Sequence, residues 1–242
     1  MSEKLMSSHY AELDKPIWQA LKSEQRNIAC QMGSALRFPP NIAPFAGIED
    51  QCGKAYADLA ALLASPDEQV ALFLPEPVDL PVPWTLRMGG HITQMVYMGD
   101  GSPAAEKTAA VAEVVPLSVA DVPEMLALTE LTQPGPFRPR TIALGDYLGI
   151  RQSGKLVAMA GERLKTAQFT EISAVCTHPD HVGHGYARQL IGQLIQTIVA
   201  AGKTPFLHSR PDNVRALGIY KRLGFQTRRQ LHLAVIGQNR KV

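Results

Sequence analysis

The chain has 242 residues, 45% hydrophobic and 19% charged, with a net charge of +2, ample apolar content for a packed core in one large or two small domains. No stretch approaches the ~18 apolar residues of a membrane span, and the start, MSEKLMSSHYAELDK, lacks the apolar core of a signal peptide, so a cytoplasmic location without membrane association is expected. Three scattered cysteines, Cys30, Cys52 and Cys176, exclude a disulfide framework and offer no Cys-x-x-Cys metal spacing.

The charge is divided unevenly. Residues 1–112 hold 8 Lys+Arg against 13 Asp+Glu (net −5), and residues 113–242 hold 16 against 9 (net +7). A basic second half suits an anionic ligand or nucleic acid. Nucleic-acid binding also wants stacking aromatics, and at 6% of the chain these are few, so a small polyphosphate is favoured.

In chain order, 16–31 and 51–64 read as helices, separated by the Pro- and Gly-rich punctuation of 39–47. Residues 70–74 and 92–98 read as strands, 79–84 as a proline-rich loop, and the small, polar GDGSPAAEKTAA of 99–110 as a linker. A domain boundary is therefore placed between an N-terminal α/β domain, 1–110, and a second domain, 111–242. The first half carries no nucleophile motif.

Beyond the linker, 112–117 reads as a strand, and Ser118 with Asp121 opens a helix running through Thr132. The prolines of QPGPFRPR, 133–140, deny that segment regular structure. Residues 147–151 and 156–162 form a hairpin and 169–177 a central strand; after a long helix, Gly202 stops the chain, followed by a strand at 204–208, a helix at 213–223 and a last strand at 229–236. A mixed sheet with helices on both faces is predicted.

The most informative stretch follows the central strand. Val182-Gly183-His184-Gly185-Tyr186-Ala187 leads into apolar positions Ala187, Leu190, Ile191, Leu194, Ile195 and Ile198, the spacing of a helix with one buried face. Glycines at such a turn let the helix N-terminus offer N–H groups to an anion, although an ordinary tight turn reads the same way. No Lys-Ser or Lys-Thr follows, which excludes a P-loop. Arg188 stands where a dinucleotide fingerprint needs its third glycine, and the next strand, 204–208, ends without an acid, which disfavours a nicotinamide-dependent oxidoreductase.

The turn resembles the acyl-CoA motif of the GCN5-related N-acetyltransferase (GNAT) superfamily, Arg/Gln-x-x-Gly-x-Gly/Ala after a His-Pro strand exit. Here the exit is His178-Pro179-Asp180, Gly185 takes the central glycine and Ala187 the small last position, while Val182 replaces the usual Arg or Gln. The superfamily's second motif, Asn-x-x-Ala-x-x-x-Tyr-x-x-x-Gly-Phe, is matched by Asn213, Ala216, Tyr220, Gly224 and Phe225. The likeness covers about 112–236, and an overall resemblance to the FR47-like branch reaches faintly into the N-terminal half. It implies an α/β (α+β) GNAT fold, a mixed, mostly antiparallel central sheet flanked by helices. The smaller N-terminal domain is then either a degenerate copy of that fold or a structural cap.

The resemblance further implies acetyl-CoA as acyl donor, no metal, and a cofactor site of Val175, Cys176, Thr177, Val182, Gly183, His184, Gly185, Tyr186, Ala187, Arg188, Asn213 and Tyr220. Within it, Val175 supplies a backbone donor to the acyl carbonyl and Thr177 pairs with the pantetheine arm where the strand splays from its neighbour. Glu171, 11 residues before Val182, is the candidate general base; Glu162 or a water relay is the alternative, and a solvated outward-facing residue the plain reading. Tyr220 is the candidate acid for the departing thiolate, or else a core aromatic, and Asn213 serves equally as a helix cap. Cys176 reads as a buried strand cysteine rather than a nucleophile. His178, His181 and His184 share no helix face, so they read as loop histidines near a phosphate rather than zinc ligands.

The function expected is direct acetyl transfer to a small primary amine, such as an amino acid, with Arg138, Arg140 and Glu162 near its pocket. A protein N-terminus or lysine is the alternative acceptor, and a non-catalytic acyl-CoA sensor the alternative class. No nucleic-acid or membrane partner is expected, and a homodimer is compatible with this reading.

Overall fold

The computed structural model describes residues 9–65, 67–99 and 112–239. Contacts group the chain into two compact units, the first of residues 1–40, 44–93 and 229–242 and the second of 41–43 and 94–228. The boundary expected at 110/111, and nearly all of the linker, lie outside the described residues.

In the first unit, helix α1 (Pro16–Lys22) starts on a proline, whose missing N–H costs nothing at a helix start. It is much shorter than the 16–31 predicted: it ends at Ser23, a 3-10 turn follows at Arg26–Ile28, and Cys30–Met32 is already strand β1. That strand pairs antiparallel with β2 (Ala35–Arg37), which pairs with β3 (Ala46–Ile48). These three-residue strands are too short to show alternation, so the sequence hid them. Helix α2 (Gly53–Ala61) packs Ala55, Tyr56 and Leu59 into a core with Val70, Leu72 and Leu74 of β4 (Gln69–Leu74). Two strands, β5 (Trp84–Tyr97) and β11 (Phe225–Gln238), are each 14 residues long and exceed their predicted lengths. Residues 232–237 of β11 pair antiparallel with β4.

In the second unit the short strand β6 (Val114–Pro116) precedes helix α3 (Val122–Thr132). A 3-10 turn leads into α3 through a reciprocal Ser118–Asp121 capping box, and Gln133 in a left-handed conformation ends it. The predicted hairpin is β7 (Tyr147–Gln152) and β8 (Lys155–Lys165), joined by Ser153 and Gly154, both at positive φ as a tight two-residue turn requires. Strand β9 (Phe169–Thr177) pairs antiparallel with β8 and parallel with β10 (Thr204–Ser209), and helix α4 (Tyr186–Ala200) makes the crossover. Helix α5 (Val214–Arg222) leads into β11. Within this unit the strands run β11–β5–β10–β9–β8–β7–β6.

Two separate cores flank the sheet. Leu190, Ile191, Leu194, Ile195 and Ile198 of α4 join Ile172, Leu207, Tyr220 and Phe225, whereas Met125 and Leu128 of α3 join Tyr147, Met159 and Cys176. Helices thus cover both faces, the predicted mixed and mostly antiparallel arrangement. Among the described residues no helix is long and apolar enough to cross a membrane.

Candidate active site

Every residue of the predicted site lies in the second unit, so its geometry is that of β8, β9, the glycine turn and α5. On β9 the register with β8 runs Met159↔Cys176 and then Gly161↔Ser173, which leaves Ala174 and Val175 opposite Ala160 alone. This is a bulge, and Ala174 sits at φ 52, a left-handed conformation that an alanine adopts only at a cost. The pairing of β9 with β10 stops at Glu171↔Phe206, so Val175 lies four residues beyond the end of that ladder. Val175 is half-buried and packs toward the α4 core; Cys176 is buried toward α3; Thr177 is half-buried opposite Ala158.

The glycine turn follows a 3-10 turn at Pro179–His181. Gly183 at φ 98 and Gly185 at φ 79 occupy the region where a side chain is strained, and Gly185 is the N-cap of α4. The first N–H groups of a helix have no intrahelical partner. The N-terminus of α4 runs from exposed Gly185 through buried Tyr186 to half-buried Ala187 and Arg188. Val182 is 39% exposed. His184 stacks on Tyr186 with ring centroids 5.5 Å apart, and His181 lies 6.5 Å from the same ring. No group of three metal-ligating side chains occurs among the described residues.

Asn213 caps α5, its Oδ1 accepting from the Ala216 N–H at 3.2 Å. Seven residues on, Tyr220 is 8% exposed with its ring against Phe225, and burial pushes its hydroxyl up to about 12. Cys176 is 7% exposed and its thiol is pushed up to about 11 by burial, so it is not held as a thiolate.

Glu171 is where the structure departs most from a reading in which its carboxylate faces a substrate. It is fully buried, with Arg163 Nε 2.8 Å from Oε2, Arg163 Nη2 2.6 Å from Oε1, and His208 Nδ1 2.7 Å from Oε1. Burial alone would raise its carboxyl, but Arg163 and His208 outweigh it and hold the group at about 2. A carboxylate so engaged is a weak proton acceptor. Glu162 is also tied down: its Oε2 accepts from Lys165 Nζ at 2.6 Å and from the Asp146 N–H at 3.2 Å.

Arg163 and His208 were absent from the predicted site. A signal existed, since β8 is buried along nearly its whole length and a charge on such a strand must find a partner. Tyr147 was missed too. Its buried hydroxyl has no hydrogen-bond partner, while its ring crosses Gly161, where a Cβ would come within 2.3 Å. A cavity of about 700 Å³ opens beside β6 and β7, with Arg140, Asp146 and Leu148 in its wall. Arg138 and Glu162 do not line it.

A bulged central strand that parts from its parallel neighbour, followed by a glycine turn opening a long helix, is the arrangement that the resemblance to acyl-CoA-dependent acyltransferases implies. The comparisons agree. Residues 147–233 match the FR47-like protein family. A crystal structure assigned to the GNAT family, from Novosphingobium aromaticivorans DSM 12444, is 34% identical with a TM-score of 0.82, covering 94% of this chain and 98% of that one. The chain belongs to the GNAT acetyltransferase family, whose members use acetyl-CoA as donor.

Two further likenesses are more limited. A GCN5-related N-acetyltransferase from Kribbella flavida shares the fold at a TM-score of 0.57 and 17% identity, over 91% of each chain. The N-alpha-acetyltransferase RimI of Mycobacterium tuberculosis is 37% identical over 83 residues, 33% of this chain; the chain thus spans about half, 51%, of that curated relative.

Proposed function

We propose that the protein transfers an acetyl group from acetyl-CoA directly to a primary amine, and that a small amine such as an amino acid is the acceptor. The observation that carries this reading is the end of the β9–β10 ladder at Glu171↔Phe206, three residues before the bulge at Ala174–Val175. Backbone N–H groups at such a bulge leave the sheet ladder and can donate to an acyl carbonyl, where negative charge develops as the amine attacks. The turn at Val182–Arg188 takes the pyrophosphate on the N-terminus of α4.

Tyr220 is the proton donor in this reading. A hydroxyl held up at about 12 stays neutral at pH 7 and can protonate the departing thiolate of coenzyme A. With Glu171 and Glu162 both engaged, the amine proton leaves through water to solvent. Cys176 forms no covalent intermediate. A second acceptor, a protein N-terminus, is favoured by the 37% identity to an N-alpha-acetyltransferase.

Calorimetric titration of the protein with acetyl-CoA, with NADH as control, tests the donor. Micromolar binding of acetyl-CoA alone supports the reading. Coenzyme A release in the presence of amino acids, against peptides with a free N-terminus, then separates the acceptors, and binding without release from any amine would leave a sensor.

A further inference from the structure

Five side chains form a line across the second unit, one from each of five neighbouring strands. Arg163 of β8 and His208 of β10 both contact Glu171 of β9. His208 Nε2 lies 3.0 Å from Gln94 Nε2 of β5, and Gln94 Oε1 accepts from Arg228 Nη1 of β11 at 2.8 Å. The order of residues is the order of the strands.

The two arginines fix the direction of every bond between them. A guanidinium only donates, so Gln94 must turn its oxygen toward Arg228 and its amide nitrogen toward His208. That nitrogen donates to Nε2, which therefore carries no proton. The ring proton sits on Nδ1 and is donated to Glu171. Every bond in the line thus points toward that one carboxylate, on which Arg163 and His208 donate directly, and Gln94 and Glu171 are both 0% exposed.

Buried polar lines of this kind add little stability over apolar packing, but they fix geometry. This one crosses from β9 to β10 where their backbone pairing ends, since Glu171↔Phe206 is the last rung and His208 lies two residues beyond Phe206. On the other side, Glu171 faces Arg163 and Leu164 at a second bulge in the β8–β9 ladder.

We propose that the Arg163–Glu171–His208–Gln94–Arg228 line is a clasp that holds the fork between β9 and β10 at a fixed opening. Glu171 is then a positioning residue for the acyl donor rather than the base, acting through the backbone of 172–177. Gln94 and His208, which touch no reacting atom, set donor affinity with it. The inference rests on the acyl-CoA reading for its consequence and on the side-chain line for the clasp itself.

The test compares wild type with Gln94→Leu, His208→Phe and Glu171→Gln, by amide hydrogen exchange of the unliganded proteins and by titration with coenzyme A. Gln94→Leu removes no charge, so it keeps the comparison open if Glu171→Gln fails to fold. Exchange over 172–177 is expected to quicken about tenfold or more in Gln94→Leu and His208→Phe. In both, the Kd for coenzyme A should rise about tenfold while kcat at saturating donor stays within about threefold. Unchanged exchange and affinity in those two variants would overturn the clasp, most plainly if Glu171→Gln alone lost kcat and regained it as the pH was raised. Should wild type not bind coenzyme A, the function reading falls, and exchange alone decides the clasp.

Discussion

His208 Nδ1 lies 2.7 Å from Glu171 Oε1, and both side chains are completely buried. The ion pair with Arg163 reaches the same carboxylate from the opposite strand, so Glu171 is held between partners on both neighbouring strands.

The first prediction concerns acid stability. Glu171 titrates from an unfolded value near 4.5 down to about 2 in the fold, so its contribution is complete above about pH 4.5 and is lost as the pH falls toward 2. That difference corresponds to about 3 kcal/mol. Urea melts between pH 7 and pH 3 should show stability falling steeply below pH 4.5 in wild type and much less in Glu171→Gln. At pH 7 the variant should already be weaker by roughly 3–5 kcal/mol, because Arg163 is left buried without its partner.

Tyr220→Phe keeps the ring against Phe225 and removes only the hydroxyl. Steady-state kinetics should show kcat down by about 10²-fold with the KM for acetyl-CoA little changed, the pattern of a group that acts on the leaving thiolate. An equal loss in affinity would assign Tyr220 to packing.

Cysteine reactivity separates the three thiols. Cys30 and Cys52 are exposed and Cys176 is buried, so a thiol reagent should modify two groups in the native protein and a third only after denaturation. Cys176→Ala should keep turnover while losing about 1–3 kcal/mol of stability to the small void it leaves.

Gly185→Ala puts a Cβ on a residue at φ 79 that opens α4. Strain of roughly 1–2 kcal/mol is expected from the left-handed backbone. Either the melting temperature falls or the turn relaxes, and calorimetry should show coenzyme A affinity weakened by about tenfold if the turn holds the pyrophosphate. Gly192→Ala, inside the same helix with open space around its Cβ, is the control and should stabilise slightly.

Much of the second unit was legible because its signals are local. The buried stripe from Leu190 to Ile198, the capping box at Ser118 and Asp121, and the Ser153-Gly154 turn each depend on spacing along the chain. Strands β1 to β3 gave no such signal, being three residues each, and α1 stopped early at Ser23 within a stretch that looked helical throughout.

By itself, then, the sequence determined the family, the mixed sheet with helices on both faces and the glycine turn at Val182–Ala187, because motifs and periodicities are carried by neighbouring residues. Only the tertiary structure decided the setting of Glu171. Its partners Arg163 and His208 are 8 and 37 residues away in the chain, and whether a strand carboxylate meets solvent or a guanidinium is set by which strands the fold places beside it.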